Sequence, residues 1–524
     1  MAMHDHQPQP FHAHCCPCCH EQDDASGVGR RDFLKAGSLA LSGMALAGLT
    51  WQSISAAETD PDAPAPPRQP LVVKPIFMYE IPGRRPQTSW RSWGGVQTQA
   101  DADQEAAHIK QELDKVQAEA DFPVKFLPVL PVRSASQVAA AQDLAGADAF
   151  VVYGAGGPDG VFDAALKTGK PVIIFLRHKS GPVSLWYEIV SPRYLHRHTD
   201  VLSTKGIDNG DVVVDAIDEL VWRLRSLCGL KNSIGAKIVA IGGPGGWASP
   251  NAPKYSQEKF KLDIQTVSYK DMGELIKQAK EDKGAVETAQ RRAAKYLADP
   301  GVKLETQKPF VENAFLLEQV FRGIMAKAGT RMMTINSCMS TIMPMSTTTA
   351  CLPLSLLNDA GFLAFCESDF VVIPSGILLH GISGRPQFLN DPTYPHQGVI
   401  TLAHCTGPRK NDGKTLDPVR LLTHFESDYG AAPKVEMKKG QKVTNIIPDF
   451  KMERYTGFVG EIVDVPFLPI CRCQIDVGYK FPDSRLAENM PGFHWMTCYG
   501  DYIREVGYAL KRVPIKWDNL GDTV

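Results

Sequence analysis

The sequence predicts an α/β protein: two doubly wound units of the Rossmann or flavodoxin kind, followed by a β-rich, barrel-like C-terminal domain. Three observations predict it. Short apolar runs such as "ADAFVVYGAGG", "KPVIIFLRH" and "AKIVAIGGPGGWA" alternate with amphipathic stretches up to residue 361. That is the pattern of parallel strands joined by crossover helices. Glycines close two of these runs, where strand gives way to turn. From Phe362 onward the runs are short and broken by Gly, Pro, Asn and Asp, as in "GVITLAHC" and "GFVGEIVDVPFLPICRCQI". This is the texture of a barrel with few helices.

Residues 1–57 read as a leader. "HAHCCPCCHEQ" sets His12, His14, Cys15, Cys16, Cys18, Cys19 and His20 within nine residues, the ligand types zinc prefers. Arg30 and Arg31 follow, then a short apolar run rich in Gly and Ser that reaches Leu49, then "SISAA" ending at Ala57. The run is too weak to span a bilayer. A charged start, a short apolar middle and a small-residue end describe a cleavable export signal, and the double arginine places it with the twin-arginine type. The expectation is export of the folded protein to the periplasm by the Tat translocon, with a cut after Ala57. The Cys/His cluster then leaves with the leader and is not the active site.

Residues 58–70 are Pro-rich and polar, a linker without a packed core. In the first unit, 71–232, the spacing of Ile109, Leu113 and Val116 predicts a helix over "DADQEAAHIKQELDKVQAEA". "DVVVDAIDELVWRLRSLCGL" also reads as a helix with one apolar face. The second unit, 233–361, opens with a strand at Ile238–Ile241, after which Gly242, Gly243, Gly245 and Gly246 allow a tight turn. Such a turn can cradle a phosphate on main-chain N–H groups. The spacing is not GxGxxG, however, and no acidic residue follows a second strand at the expected distance, so a plain strand-to-helix turn is the better reading. A short strand and a polar helix follow, then a longer helix from Lys308 to Ala328. In the last domain, 362–524, the one strong late helix is "DYIREVGYALKRV".

Composition narrows the function. Hydrophobic content of 44% and charged content of 22% are ordinary for a soluble globular protein. A net charge of −2 and the absence of a basic run leave no footprint for nucleic acid. Downstream of Ala57 stand Cys228, Cys338, Cys351, Cys366, Cys405, Cys471, Cys473 and Cys498. They are scattered, several inside apolar runs, and read as buried free thiols rather than disulfides.

Polar groups inside apolar runs are expensive unless used or paired. In "GFLAFCESDFVV", Glu367 and Asp369 stand two apart, so both carboxylates share a face if the segment is extended. They follow a strand-like run, where α/β folds place ligands. A carboxylate pair can hold a hard cation or divide acid and base roles; the alternative is a solvated loop. His404 in "ITLAHCTGP" and His494 in "PGFHWMTCYGDY" are ligand candidates or satisfied core histidines. Together the four suit Mn²⁺ or Mg²⁺. Cys471 and Cys473 alternate across a strand without a partner pair and do not form a zinc motif.

Three patches resemble the L-fucose isomerase family and its fucose/arabinose isomerase-like relatives. They are "AKIVAIGGPGGW…FKLDIQTVSYKDMGELIKQA", "STTTACLPLSLLNDAG…CESDFVV" and "FHWMTCYGDYIREVGYALKRVPI". The resemblance spans most of residues 72–515. It implies a monosaccharide substrate, aldose–ketose isomerisation through an enediol, a homo-oligomer, and a Glu–Asp–His site for Mn²⁺, with Mg²⁺ or Co²⁺ as the other ions. The Asp and His map to Asp369 and His494. The family's Glu falls near Ala350 or Cys351, where no carboxylate stands. Glu367 then replaces it as ligand and base alongside Asp369, or His404 completes the sphere, or the activity is altered. "SWRSWGG" offers Trp90, Arg91 and Trp93 as a sugar-stacking platform, or as ordinary packing residues. The other readings are an exported carbohydrate-binding protein that keeps the fold without catalysis, and a metal-dependent sugar lyase or epimerase.

Overall fold

The structure, a computed structural model, describes residues 44–46, 48–57 and 60–522. Arg30, Arg31 and the Cys/His cluster at 12–20 lie outside the described residues.

Both α/β units form. The first sheet runs Val124–Phe126, Leu71–Met78, Ala149–Gly154, Val172–Leu176, Val212–Val214, all parallel, with Leu130–Val132 also pairing Leu71–Met78. Its central strands are Val, Ile and Phe runs buried on both faces, as parallel strands are. "DVVVDAIDELVWRLRSLCGL" is not one helix. Val212–Val214 is the edge strand, Asp215 turns at φ 56°, and the helix is Ile217–Lys231. Three consecutive β-branched valines favour the extended form.

The second sheet is also parallel: Met44–Ala45, Asp263–Val267, Lys237–Ile241, Met332–Ile335, Leu363–Cys366. Its last strand lies beyond residue 361, because a short run such as "FLAFC" looks alike in either kind of sheet. Its first strand comes from the segment read as leader. There Leu46 donates its N–H to the Thr266 carbonyl, and Trp51 Nε1 donates to Asp282 Oδ2 at 2.8 Å. Ile54, in the short helix Trp51–Ser55, is fully buried against the helix Lys308–Ala328. Gly323 makes room for it: a Cβ there would stand 2.9 Å from the Ile54 carbonyl oxygen.

The Pro-rich stretch after it is a strap rather than a free linker. Asp62 pairs with Arg292, Ala63 and Pro66 carbonyls accept from Arg322 and Arg331, and Arg68 donates to the Gly381 carbonyl.

The C-terminal part closes as a barrel of six antiparallel strands. Around it run Lys442–Pro448, Trp495–Tyr499, Phe388–Pro392, Val399–His404, Cys473–Gly478 and Arg454–Asp464, which pairs back to the first. Lys516–Asn519 adds in parallel to Arg454–Asp464, and a three-stranded sheet of Val302–Leu304, Val419–His424 and Tyr429–Val435 lies alongside. Barrel residues Ile400, Leu402, Phe458 and Val477 belong to the same buried cluster as Val239, Ile241 and Val320 of the second unit. One core therefore spans both. The eight cysteines downstream of Ala57 are buried thiols, none of them in a disulfide. Among the described residues no helix is long and apolar enough to cross a membrane.

Candidate metal centre

The centre forms where the C-terminal ends of the second sheet's strands meet one end of the barrel. Strand Leu363–Cys366 ends in an unusual turn: Glu367 and Ser368 both take left-handed backbone, φ 65° and 47°. Such conformations cost about 1–2 kcal/mol per non-glycine residue and persist where surroundings over-determine them. Here Ser368 N donates to Thr334 Oγ1, Gly245 N donates to the Ser368 carbonyl, and Phe370 N donates to the Gly245 carbonyl. Glu367 Oε2 accepts from Trp247 Nε1 at 2.9 Å, and the Trp247 ring stacks on Phe493 with centroids 4.3 Å apart.

The glycine turn after Ile241 thus serves to carry Trp247 to Glu367. The N–H groups of Gly242, Gly243 and Gly245 are committed to the carbonyls of Val267, Ala240 and Ser368 rather than held open for a phosphate.

The barrel supplies the rest by register. Asn390 pairs with Trp495 and Asp391 with Ala403, so Asp391, His404 and His494 gather at one end. His494 Nε2 lies 3.2 Å from both Glu367 Oε2 and Asp391 Oδ1, and His404 Nε2 lies 3.7 Å from Glu367 Oε1. His494 is fully buried, and the Asp391 side chain is a quarter exposed. Yet His494 Nε2 and Asp391 Oδ1 have no hydrogen-bond partner. They stand 3.2 Å apart without the alignment of a hydrogen bond, inside a group of donors that could share one ion. Buried polar atoms are rarely left so, and a cation there would satisfy them. The donor atoms of Asp391, His404 and His494 all lie within 4.8 Å of one another, and so do those of Cys366, Glu367 and His404.

The orientation of His494 is set from behind. Its Nδ1 stands 2.7 Å from Asp369 Oδ2, a carboxylate 1% exposed that also accepts from Val371 N. With Nδ1–H donating to Asp369, the Nε2 lone pair faces the cluster, the arrangement that readies an imidazole for a metal. The electrostatics are those of tightly coupled neighbours. Burial alone would raise the Glu367 carboxyl, but His404 and His494 hold it well below its usual range. Burial raises Asp391 against the pull of His494. Burial alone would lower the imidazoles; instead Glu367 and Asp391 push His404 up to about 9, and Asp391 and Asp369 push His494 well up. A divalent cation would take over the charge balance from these protons and release them.

Of the residues singled out from sequence, Glu367, His404 and His494 come together. Asp369 does not join the donor groups but stands behind His494. The expectation that Glu367 and Asp369 share a face held only for extended backbone, and the two left-handed residues break that alternation. Trp90, Arg91 and Trp93 stay with the first unit. Gly94 there pairs with Ser184, Arg91 lies 5.2 Å over the Trp90 ring, and Trp93 is two-thirds exposed. No hydrogen bond or ring contact ties them to the centre. Its aromatic wall is Trp247 and Phe493. Sequence reasoning missed Asp391 because "NDP" has the look of a turn. It missed Trp247 because the glycine turn was weighed only for phosphate.

No family model matches the chain, and no curated protein matches it. Among solved structures, one similar chain is a carbohydrate transporter from Acidothermus cellulolyticus 11B, in complex with myo-inositol. It is 12% identical, covers 51% of this chain and 74% of its own, and superposes with a TM-score of 0.15. A likeness at that score carries nothing about function.

Proposed function

We propose that this chain is a metal-dependent aldose–ketose isomerase of the L-fucose isomerase kind, exported by the twin-arginine route and acting on a monosaccharide through an enediol. The observation that carries the reading is the convergence of two carboxylates and two imidazoles on unpartnered buried atoms. Asp391 supplies the carboxylate that the family pattern lacked near Ala350. Glu367, Asp391, His404 and His494 would hold the ion, Mn²⁺ by the resemblance, with Mg²⁺ and Co²⁺ suited by the same donors. When bound, such an ion polarises a sugar carbonyl and fixes the neighbouring hydroxyl.

The chain's own residues do the rest. Glu367, tethered by Trp247, takes the proton from C2 and returns it to C1, while the C2 hydroxyl proton passes to the C1 oxygen. Asp369 keeps the His494 ring in place. Trp247 and Phe493 give the apolar face of a sugar ring an aromatic wall.

The test is calorimetry of metal-stripped full-length protein, with Cys15, Cys16, Cys18 and Cys19 replaced by Ser so that the cluster at the start takes no ion, with Mn²⁺, Mg²⁺ and Co²⁺, followed by a panel of aldoses in deuterated water. One ion per chain and ketose carrying deuterium at C1 are expected, both lost in His494→Ala and Asp391→Asn. An ion that binds without any aldose turning over would leave the carbohydrate-binding reading. No bound ion would end the metal reading.

A further inference from the structure

The donors assigned to the ion so far are oxygen and nitrogen. One sulfur stands among them. Cys366 is the last residue of the strand that delivers Glu367, and it is 5% exposed. Its Sγ, a Glu367 carboxylate oxygen and a His404 ring nitrogen all lie within 4.8 Å of one another. With about 2.3 Å from a zinc-like ion to sulfur and about 2.1 Å to nitrogen, donors on opposite sides of one ion stand about 4.4 Å apart. Spacings of up to 4.8 Å are close to what one shell needs. The second, independent pointer is the pair of buried and unpartnered atoms on the barrel side of the same cluster, His494 Nε2 and Asp391 Oδ1.

We propose that Cys366 is a further ligand of this ion, so that the centre is a mixed sulfur, oxygen and nitrogen site that favours Co²⁺ or Zn²⁺ over Mn²⁺ and Mg²⁺. The proposal rests on the metal-centre reading but not on the isomerase chemistry. The physical ground is donor softness: carboxylates alone suit hard ions, imidazole suits both kinds, and a thiolate shifts preference to the borderline metals. The neighbouring Cys338 thiol, 3.8 Å away, and burial keep the Cys366 thiol protonated. A coordinating cation deprotonates such a thiol outright. Cys338 itself is not within the donor group and backs Cys366 from the second unit's side.

Two other groups of thiols could mislead a test: Cys15, Cys16, Cys18 and Cys19 of the sequence's start, and, among the described residues, a second knot. Cys351, Cys405 and Cys471 pack together, with the His424 imidazole close enough to Cys405 for each to shift the other's titration. The experiment must separate Cys366 from both.

Metal-stripped full-length protein carrying Cys15→Ser, Cys16→Ser, Cys18→Ser and Cys19→Ser, otherwise wild type and so called below, is titrated with Co²⁺ and followed by absorption, because a cobalt–thiolate bond gives an intense near-ultraviolet charge-transfer band that oxygen and nitrogen donors do not. Wild type should develop the band in step with calorimetric binding. Cys366→Ser should lose it and bind Co²⁺ at least about tenfold more weakly, a scale that even outer partners of metal sites reach, while Mn²⁺ affinity barely moves. Cys405→Ser and Cys338→Ser should keep it. Wild type that binds Co²⁺ without the band overturns this proposal and leaves the metal centre standing, a result that needs no substitution at the centre. A band kept in Cys366→Ser, or lost only in Cys405→Ser, overturns it too. Failure to bind any ion overturns both.

Discussion

Asp369 reaches no farther than the far nitrogen of His494, and that short contact decides which face of the imidazole is available. Asp369→Asn keeps the shape but can present its amide N–H₂ to Nδ1, which moves the ring proton to Nε2 and blocks the metal face. Ion affinity should fall by about 10- to 100-fold with the fold intact, whereas Asp391→Asn, a change at a direct donor, should cost more. Calorimetric titration of both variants checks the order. His380 shows the opposite kind of single residue, a charge kept off. Its Nδ1 donates to the Arg385 carbonyl and its Nε2 accepts from Arg331, each at 2.8 Å. Burial first, then the Arg331 charge, lower its pKa from 6.5 to about 3. In the unfolded chain it protonates near 6.5, so the unfolded state binds more protons between the two values. The stability contribution is therefore whole above pH 6.5 and falls as pH drops toward 3, by up to about 1.4 kcal/mol per pH unit. Urea midpoints across that range should slope more in wild type than in His380→Gln; equal slopes would refute the assignment. At this scale the sequence was legible where a polar residue interrupts an apolar run, as at Glu367, His404 and His494. It was opaque at Asp391, where Pro392 follows and nothing local distinguishes a ligand from a turn.

Between strand and helix, the turn at Glu367 and Ser368 shows what periodicity could not give. Alternation is a property of extended backbone, and nothing in "CESD" announces two successive left-handed residues. What imposes them is distant in sequence: the Gly245 peptide on one side and Thr334 on the other. Long runs fared better, since the helix Lys308–Ala328 follows its apolar spacing end to end. Short ones did not: Val212–Val214 was absorbed into a helix, and Leu363–Cys366 fell past the boundary at 361 although it pairs with Met332–Ile335, because three or four residues hold too little pattern to identify a partner strand. The strained turn carries its own prediction. Ser368 is fully buried, its hydroxyl has no hydrogen-bond partner, and its φ is 47°. Glycine relieves the left-handed strain and removes the orphaned hydroxyl, at an entropy cost of about 0.5–1 kcal/mol in the unfolded chain. Ser368→Gly should therefore be about 0.5–1 kcal/mol more stable in denaturant melts. If the turn exists to aim Glu367, the same change should weaken ion binding, and a variant that gains stability with unchanged affinity would show the strain to be idle.

Across the whole molecule, the second unit and the barrel share one core, and the candidate metal centre lies on their seam, so neither half can loosen without disturbing its donor residues. The same core takes in the segment that the sequence assigned to a discarded leader. The reason is again apolar character: an export signal's middle region and a buried edge strand with its helix need the same residues, and only packing tells them apart. Met44–Ala45 extend the second sheet, Trp51 bonds to Asp282, and Ile54 fills the groove at Gly323. Fully burying an isoleucine is worth about 1.5–3 kcal/mol, and stripping it away leaves an open apolar groove on the helix Lys308–Ala328. A chain begun at Met44 and one begun at Glu58 differ only in this segment. The shorter should melt several degrees lower and bind an apolar dye, and Ile54→Ala in the full chain should cost about 2–4 kcal/mol. Intact-mass measurement of exported protein then shows which form the cell keeps. If the chain begun at Glu58 melts with the longer one, the segment contributes nothing to the fold and the cut after Ala57 is harmless. If it melts lower, a cut there gives up part of the second unit's core.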